Sequence, residues 1–280
     1  MRLVCVGLAT VDLVQRVDRL PGADEKAEAR TADVAGGGPA TNAAITAAAL
    51  GADVTLVTAV GAHPLGDLIR ADLAAHHVTL LDAAPHSPEP PPVSAVTVLD
   101  ATGQRTIVSR NARGVAAGVP GELESVLATA DAVLADGHHP ALALAAARSG
   151  RPLILDAGSW RPVFTDLLPG AAVVACSAAF HPPGDLPAEQ ALRDRGVDRG
   201  AITHGPDPVR WWSGPDDGEI EVPPVAAADT AGAGDAFHGA LTVAVARGAD
   251  LPEAIRYAIG IAAIRVQHAG PRSWLAALNG

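Results

Sequence analysis

Lysine is almost absent from this 280-residue chain, which carries only Lys26. No Gly-x-x-x-x-Gly-Lys-Ser/Thr run exists, so a P-loop is excluded and any phosphate must be held by backbone amides, arginine or metal. Aromatic residues make up only 3%, and none occurs before Trp160. Cys5 and Cys176 are the only cysteines, too few for a disulfide framework, and they point to a reducing cytoplasm. No His or Cys spacing fits a zinc site. No run approaches the roughly 18 uninterrupted apolar residues of a membrane span. The start, Met1 to Gly7, reads as a first strand rather than a signal peptide, because its apolar part is short and leads straight to Asp12. Basic charge is also scarce. The net charge of −11 argues against a nucleic-acid partner, which would require a basic face.

Short apolar runs alternate with helical ones. Residues 3–7, 54–60, 132–135, 153–156, 172–175 and 200–203 read as buried strands, and 41–50, 65–76, 142–149 and 252–268 as helices. That alternation predicts one α/β domain over residues 1–280 with a largely parallel sheet. Two stretches break the rhythm, residues 11–35 and 93–110. The second reads as a β-hairpin turning over Asp100, Ala101, Thr102 and Gly103. Together they predict a small separate sheet, a lid. In the hairpin Val96 and Val98 alternate with Thr97, so one face seeks cover. If its own chain leaves that face bare, a two-fold partner covers it and a homodimer follows.

The most informative stretch is Asp229-Thr230-Ala231-Gly232-Ala233-Gly234-Asp235, which opens a long alanine-rich helical run. Small residues at a helix N-terminus leave N–H groups uncovered for an anion, and Asp235 fixes a carboxylate at the same spot. An anion site and a base in one turn suit phosphoryl transfer. Three further candidates are weaker singly. Gly36-Gly37-Gly38 before Asn42 allows close backbone approach to a ligand, though it is equally an ordinary strand-to-helix turn. Asp12 follows the first strand, where acids face the crevice of α/β sheets, or serve as caps. Arg105 on the hairpin reaches a phosphate or sugar hydroxyl, or is a solvated strand arginine.

In combination these residues resemble the ribokinase (PfkB) family of carbohydrate kinases, ketohexokinase-like members included. Asp229 to Asp235 is similar to the signature Asp-Thr-x-Gly-Ala-Gly-Asp, and Gly37 to Asn42 to Gly-Gly-x-x-x-Asn. Val60 to Asp67 resembles Val-Gly-x-Asp-x-x-Gly-Asp, with His63 in the acid's place. The resemblance implies a ribokinase-like three-layer α/β sandwich with a small β-lid that pairs two copies. It implies Asp235 as general base, the Gly232, Ala233 and Gly234 amides as anion hole, and Asp12, Gly37, Gly38, Asn42 and Arg105 as sugar-side residues. It places Thr203, Gly205, Asp229 and Thr230 on the nucleotide side and brings ATP, Mg²⁺ and a monovalent cation such as K⁺, with no metal ligand assigned. Ser177 and Phe180 replace the Asn and Glu of the family's Asn-x-x-Glu, and Pro39 stands where many members place Lys or Asn.

The expectation is thus a cytoplasmic kinase that uses ATP to phosphorylate a primary hydroxyl of a pentose or ketohexose. The alternatives are a nucleoside kinase of the same family and a non-catalytic sugar-binding protein on the same fold. An aromatic-free sugar side disfavours a nucleoside ring. The shortage of cations beyond Arg105 and Lys26 disfavours an acceptor that is already phosphorylated.

Overall fold

The computed structural model describes residues 1–279. In chain order the strands are β1 (Arg2–Val6), β2 (Thr10–Val17), β3 (Thr31–Gly37), β4 (Asp53–Thr58), β5 (Val78–Asp82), β6 (Val93–Leu99) and β7 (Arg105–Ser109). They continue with β8 (Ala132–Ala135), β9 (Leu153–Ala157), β10 (Val173–Ser177), β11 (Arg199–His204), β12 (Asp207–Ser213) and β13 (Asp216–Ile220). The helices are α1 (Pro39–Ala49), α2 (Pro64–Ala75), α3 (Leu123–Ala128), α4 (Pro140–Arg148), α5 (Phe164–Leu167), α6 (Ala188–Arg193), α7 (Ala233–Ala246) and α8 (Leu251–Val266).

Nine strands form the central sheet in the order β13-β12-β11-β10-β9-β8-β1-β4-β5. Seven run parallel, and β12 and β13 extend one edge antiparallel. The period of two in a strand sends alternate residues to opposite faces. On β1, Leu3 and Cys5 join the core against α1, α2, α7 and α8, whereas Val4 and Val6 join the core against α3 to α6. Each such side chain contributes roughly 1.5–3 kcal/mol by leaving water. The result is three layers, with helices covering both faces as a parallel sheet demands.

Helices α1, α2, α4 and α8 each carry proline in the first turn. A first-turn N–H has no intrahelical acceptor, so proline's missing donor costs nothing there. For this reason α1, α2 and α4 begin one or two residues earlier than the apolar periodicity predicts. His63, in the place of the family's acid, caps α2: its Nδ1 accepts from the Leu65 N–H at 3.1 Å. An imidazole nitrogen thus does the work of the usual capping oxygen.

Strands β3-β2-β6-β7 form a second sheet. Its exposed face is not the one the sequence suggests. Val96 and Val98 pack with Val14 in a small buried cluster and are covered by their own chain. The opposite face carries Val34, Leu13, Ala95 and Val108 in register across all four strands. Val34 is 54% and Val108 72% exposed. Alternation gives a strand two faces but does not tell which one the rest of the chain covers.

Candidate active site

A cavity of about 270 Å³ lies between the inner face of the small sheet, the N-termini of α1 and α7, and the segment after α8. Asp12, Gly38, Asn42, Arg105, Asp229, Gly232, Gly234 and Asp235 all line it. Thr203 and Gly205 do not. They lie at the C-terminal end of β11, with the Thr203 hydroxyl 3.4 Å from the Cys176 carbonyl.

Two packing features bring the parts together. Helix α7 crosses α1 closely because Gly239 has no side chain; a Cβ there would lie 2.5 Å from the Ala43 carbonyl oxygen. Gly232 caps α7 at φ 70°, a left-handed conformation that glycine adopts without strain. The turn leaves the Gly232, Gly234 and Asp235 amides without a backbone acceptor, and the α7 dipole adds to their pull on an anion. The Ala233 amide is turned back to the Thr230 carbonyl at 3.5 Å, so it contributes less than the expected anion hole assigned to it.

Close packing of α1 on α7 sets the central contact. Asn42 Nδ2 donates to Asp235 Oδ2 at 2.7 Å, while Asn42 Oδ1 accepts from Arg272 Nη1 at 3.0 Å. Arg272 is held in turn by Asp72 at 2.9 Å and by the Gly36 carbonyl. Asn42 is therefore clamped at both ends and retains one free amide hydrogen. Burial raises the Asp235 pKa above the usual carboxylate range; the Asn42 hydrogen bond, His238 and Arg105 oppose that, and Asp136 adds to it. Asp12 is also raised by burial, against hydrogen bonds from Thr10 and Ser94. Gly37 lies beneath Asp12, where a Cβ would fall 2.0 Å from Oδ2, so its missing side chain makes room for the acid.

Asp229 and Thr230, expected on the nucleotide side, are engaged within the chain. Asp229 is buried and accepts from the Ala231 and Gly270 amides at 2.9 and 3.1 Å, which shapes the loop before α7. The Thr230 hydroxyl donates to the Gly103 carbonyl at 3.0 Å and accepts from Arg105 Nη1 at 3.1 Å. Arg105 also reaches the Thr230 carbonyl at 3.0 Å. The hairpin turn of the small sheet is thus docked on the loop that leads to Asp235.

Several residues of the site escape a sequence reading. Asp136, at the end of β8, accepts from the Leu8, Ala40 and His138 amides, which fixes the exit of β1 and the start of α1. Burial would raise its pKa, but His138 and those amides hold it well below the usual range. Asp156, ending an expected strand, faces His238 Nδ1 at 3.5 Å, and burial pushes its carboxyl up to about 6. Both acids follow apolar strands, the signal that singled out Asp12. Arg265, Arg272 and Trp274 enter the cavity from the C-terminal segment and had no such signal. They alter two expectations: the cavity holds more arginine than Arg105 alone, and it does hold an aromatic residue. Lys26 is exposed and lies outside it.

The chain belongs to the pfkB family of carbohydrate kinases, whose family model matches residues 1–277. It is thus a phosphotransferase with an alcohol group of a sugar as acceptor. It is 30% identical over 293 residues to an ATP-dependent ribose-1-phosphate kinase of Halopiger xanaduensis, covering 98% of this chain and 94% of that protein. It is 28% identical to the ribokinase of Bacillus subtilis, covering 100% and 98% of the two chains. Among solved structures it is similar to Arabidopsis thaliana ribokinase complexed with ribose and ATP, at 25% identity and a TM-score of 0.80 over 99% of this chain and 98% of that one.

Proposed function

We propose that this kinase uses ATP to phosphorylate a primary hydroxyl of a neutral pentose of the ribose class. The observation that carries the reading is the Asn42–Asp235 pair beside the free amides of Gly232 and Gly234, all facing one cavity with Asp12. Asp12 and the free Asn42 amide hydrogen hold the sugar's hydroxyls, and Asp235 receives the proton of the reacting hydroxyl. That oxygen bonds to the terminal phosphorus as the bond from phosphorus to the departing ADP oxygen breaks. The three free amides at the α7 N-terminus take the charge of the transferring phosphoryl group. Asp229 and Thr230 set the loop, Arg105 holds the lid on it, and Thr203 and Gly205 border the nucleotide.

Among the described residues no group of three or more His, Cys, Asp or Glu side chains is arranged to hold a metal. Phe180 is sealed in an aromatic cluster with Trp160 and Phe164. The donor set suits Mg²⁺ carried mainly by the nucleotide's phosphates and water. We further assign the molecule to the cytoplasm as a single kinase domain. The row Val34–Leu13–Ala95–Val108 is the face through which two lids pair.

A second reading is a sugar 1-phosphate acceptor, favoured by the name of the Halopiger relative and by the two extra arginines at the cavity. It ranks below a neutral sugar because Arg272 is paired with Asp72 and Arg265 with Asp229, which leaves Asp12 and Asp235 to dominate the field. A thermal-shift panel of ribose, ribose 1-phosphate, fructose and adenosine, each with a non-hydrolysable ATP analogue, decides among the acceptors. Ribose should stabilise most, and stabilisation by adenosine alone overturns the reading. ADP release must depend on both the sugar and Mg²⁺; sugar binding without turnover would promote a non-catalytic role. Asp235→Asn should abolish turnover by several orders of magnitude while ribose still binds.

A further inference from the structure

Arg272 lies in the segment after α8, at the cavity wall, and joins three elements at once. Its Nη2 donates to the Gly36 carbonyl at the end of β3 and to Asp72 Oδ2 on α2 at 2.9 Å. Asp72 Oδ2 also accepts from the Gly36 amide at 2.9 Å, so the ion pair holds both backbone groups of Gly36. A Cβ on Gly36 would lie 3.0 Å from that oxygen, so the pair needs a glycine here. These bonds tie the C-terminal segment to α2 and β3 through Nη2 alone. Nη1 is left for another task, and it donates to Asn42 Oδ1 at 3.0 Å.

The two ends of a carboxamide are nearly the same size, and its partners decide which way it faces. A guanidinium only donates, so the end of Asn42 that meets Arg272 must be the carbonyl. Nδ2 is thereby turned to Asp235 Oδ2, at 2.7 Å, and its second hydrogen to the cavity. The flipped amide would set Oδ1 against a carboxylate oxygen, two acceptors face to face. Sugar hydroxyls donate as well as accept, so a bound sugar competes for Oδ1 and can turn an amide that nothing holds. Asp235 Oδ2 is occupied by Asn42, which leaves Oδ1 to take a proton.

We propose that Arg272, itself held by Asp72, is the positioning residue that fixes the Asn42 amide, so that Asn42 only donates towards the sugar and Asp235 presents Oδ1 as its basic oxygen. This rests on reading Asn42 as a sugar-side residue and Asp235 as the base. Arg272 acts through Asn42, not on the reacting atoms.

The test has two readouts on the full-length chain. Asn42, Asn111 and Asn279 are the only asparagines, so isotopically labelled asparagine gives three pairs of side-chain amide signals, and Asn42→Ala identifies the pair of Asn42. In the parent that pair should exchange slowly with water; in Arg272→Met it should shift and exchange faster. The second readout is a double-mutant cycle in kcat for ADP release at saturating ribose and ATP. Arg272→Met should lose about tenfold in the parent, the scale of one hydrogen bond to a charged group, but less than about twofold in Asn42→Ala. Arg272→Lys, which still donates and cannot accept, should recover most of the loss. A role confined to anchoring the C-terminal segment predicts equal losses in both backgrounds, and that result overturns the inference. So does an Arg272→Met that keeps the parent's kcat or leaves the Asn42 pair unmoved. If Arg272→Met does not fold, Arg272→Gln replaces it: its amide accepts as well as donates, so Asn42 is again free to turn and the same changes are expected. A parent that phosphorylates no sugar refutes the functional reading, while the amide signals still decide whether Arg272 orients Asn42.

Discussion

Replacing Asn42 with Ala should cost this kinase progressively more of its turnover as the pH falls. Asn42 Nδ2 donates to Asp235 Oδ2 at 2.7 Å, a short bond to a charged acceptor. Burial raises the Asp235 pKa, and this hydrogen bond is the largest influence that opposes it. A hydrogen bond to a charged group is worth about 1.5–3 kcal/mol, a factor of about 10–100 in the balance between ionised and neutral carboxyl. The sign follows directly: without the bond Asp235 binds its proton more tightly, and less of it is ionised at a given acidic pH. The loss in kcat should approach that factor at the acid end of the profile and disappear at the alkaline end. The alanine also frees Arg272 Nη1 from Asn42 Oδ1, so Asn42→Asp serves as a control that keeps the Arg272 partner while setting a like charge against Asp235. It should be worse than Asn42→Ala at every pH. The assay is kcat against pH at saturating sugar, in which the acid limb of the Asn42→Ala profile should move to higher pH than the parent's. A uniform loss, with the acid limb of the profile unmoved, would show that Asn42 does not tune the base.

Three other outcomes follow from single contacts. His63→Ala should lower stability by about 1 kcal/mol through loss of the α2 cap, and His63→Asp should restore it; equal melting temperatures for all three would refute the capping role. Val108→Glu, on the 72%-exposed outer row of the lid, should yield a monomer by light scattering, and a parent that is itself monomeric would dispose of lid pairing. Asp156→Asn should raise the melting temperature at pH 7.5. A buried carboxyl lifted from 3.8 to about 6 stabilises the fold only while protonated, so its ionisation above pH 6 costs about 3 kcal/mol. The gain should shrink as the pH falls through 6, and a variant less stable than the parent at pH 7.5 would mean that the His238 contact outweighs burial.

The chemistry of the site is legible in the sequence because it is written in contiguous turns. Gly232 to Asp235 and Gly36 to Asn42 each combine small residues with a polar side chain at a helix start, and local physics makes such turns bind anions or hydroxyls. The parallel strands are legible for a similar reason, since they are buried on both faces and read as unbroken apolar runs. Strand β13 is not, because in Asp216–Ile220 only Ile220 is buried, whereas β12 beside it buries Val209 and Trp212. The lid's exposed face is hidden too, because strand alternation is symmetric until the packing of Val14 on Val96 and Val98 breaks it.

What tunes the site is illegible for a deeper reason. Asn42 meets Asp235 across 193 residues of sequence and Arg272 across 230. Within α8, Arg265 looks like any helical arginine of a last turn, where the dipole already accounts for it. Only burial sets it apart, and burial depends on how α8 packs against α7 and on where the following segment returns. A turn can specify a base and an anion hole by itself. Of the groups that shift the proton affinity of that base, His238 lies one turn further along α7, and the others arrive from elsewhere in the fold. Asn42 comes from α1, Arg105 from the lid hairpin and Asp136 from the end of β8, each far from Asp235 in the chain.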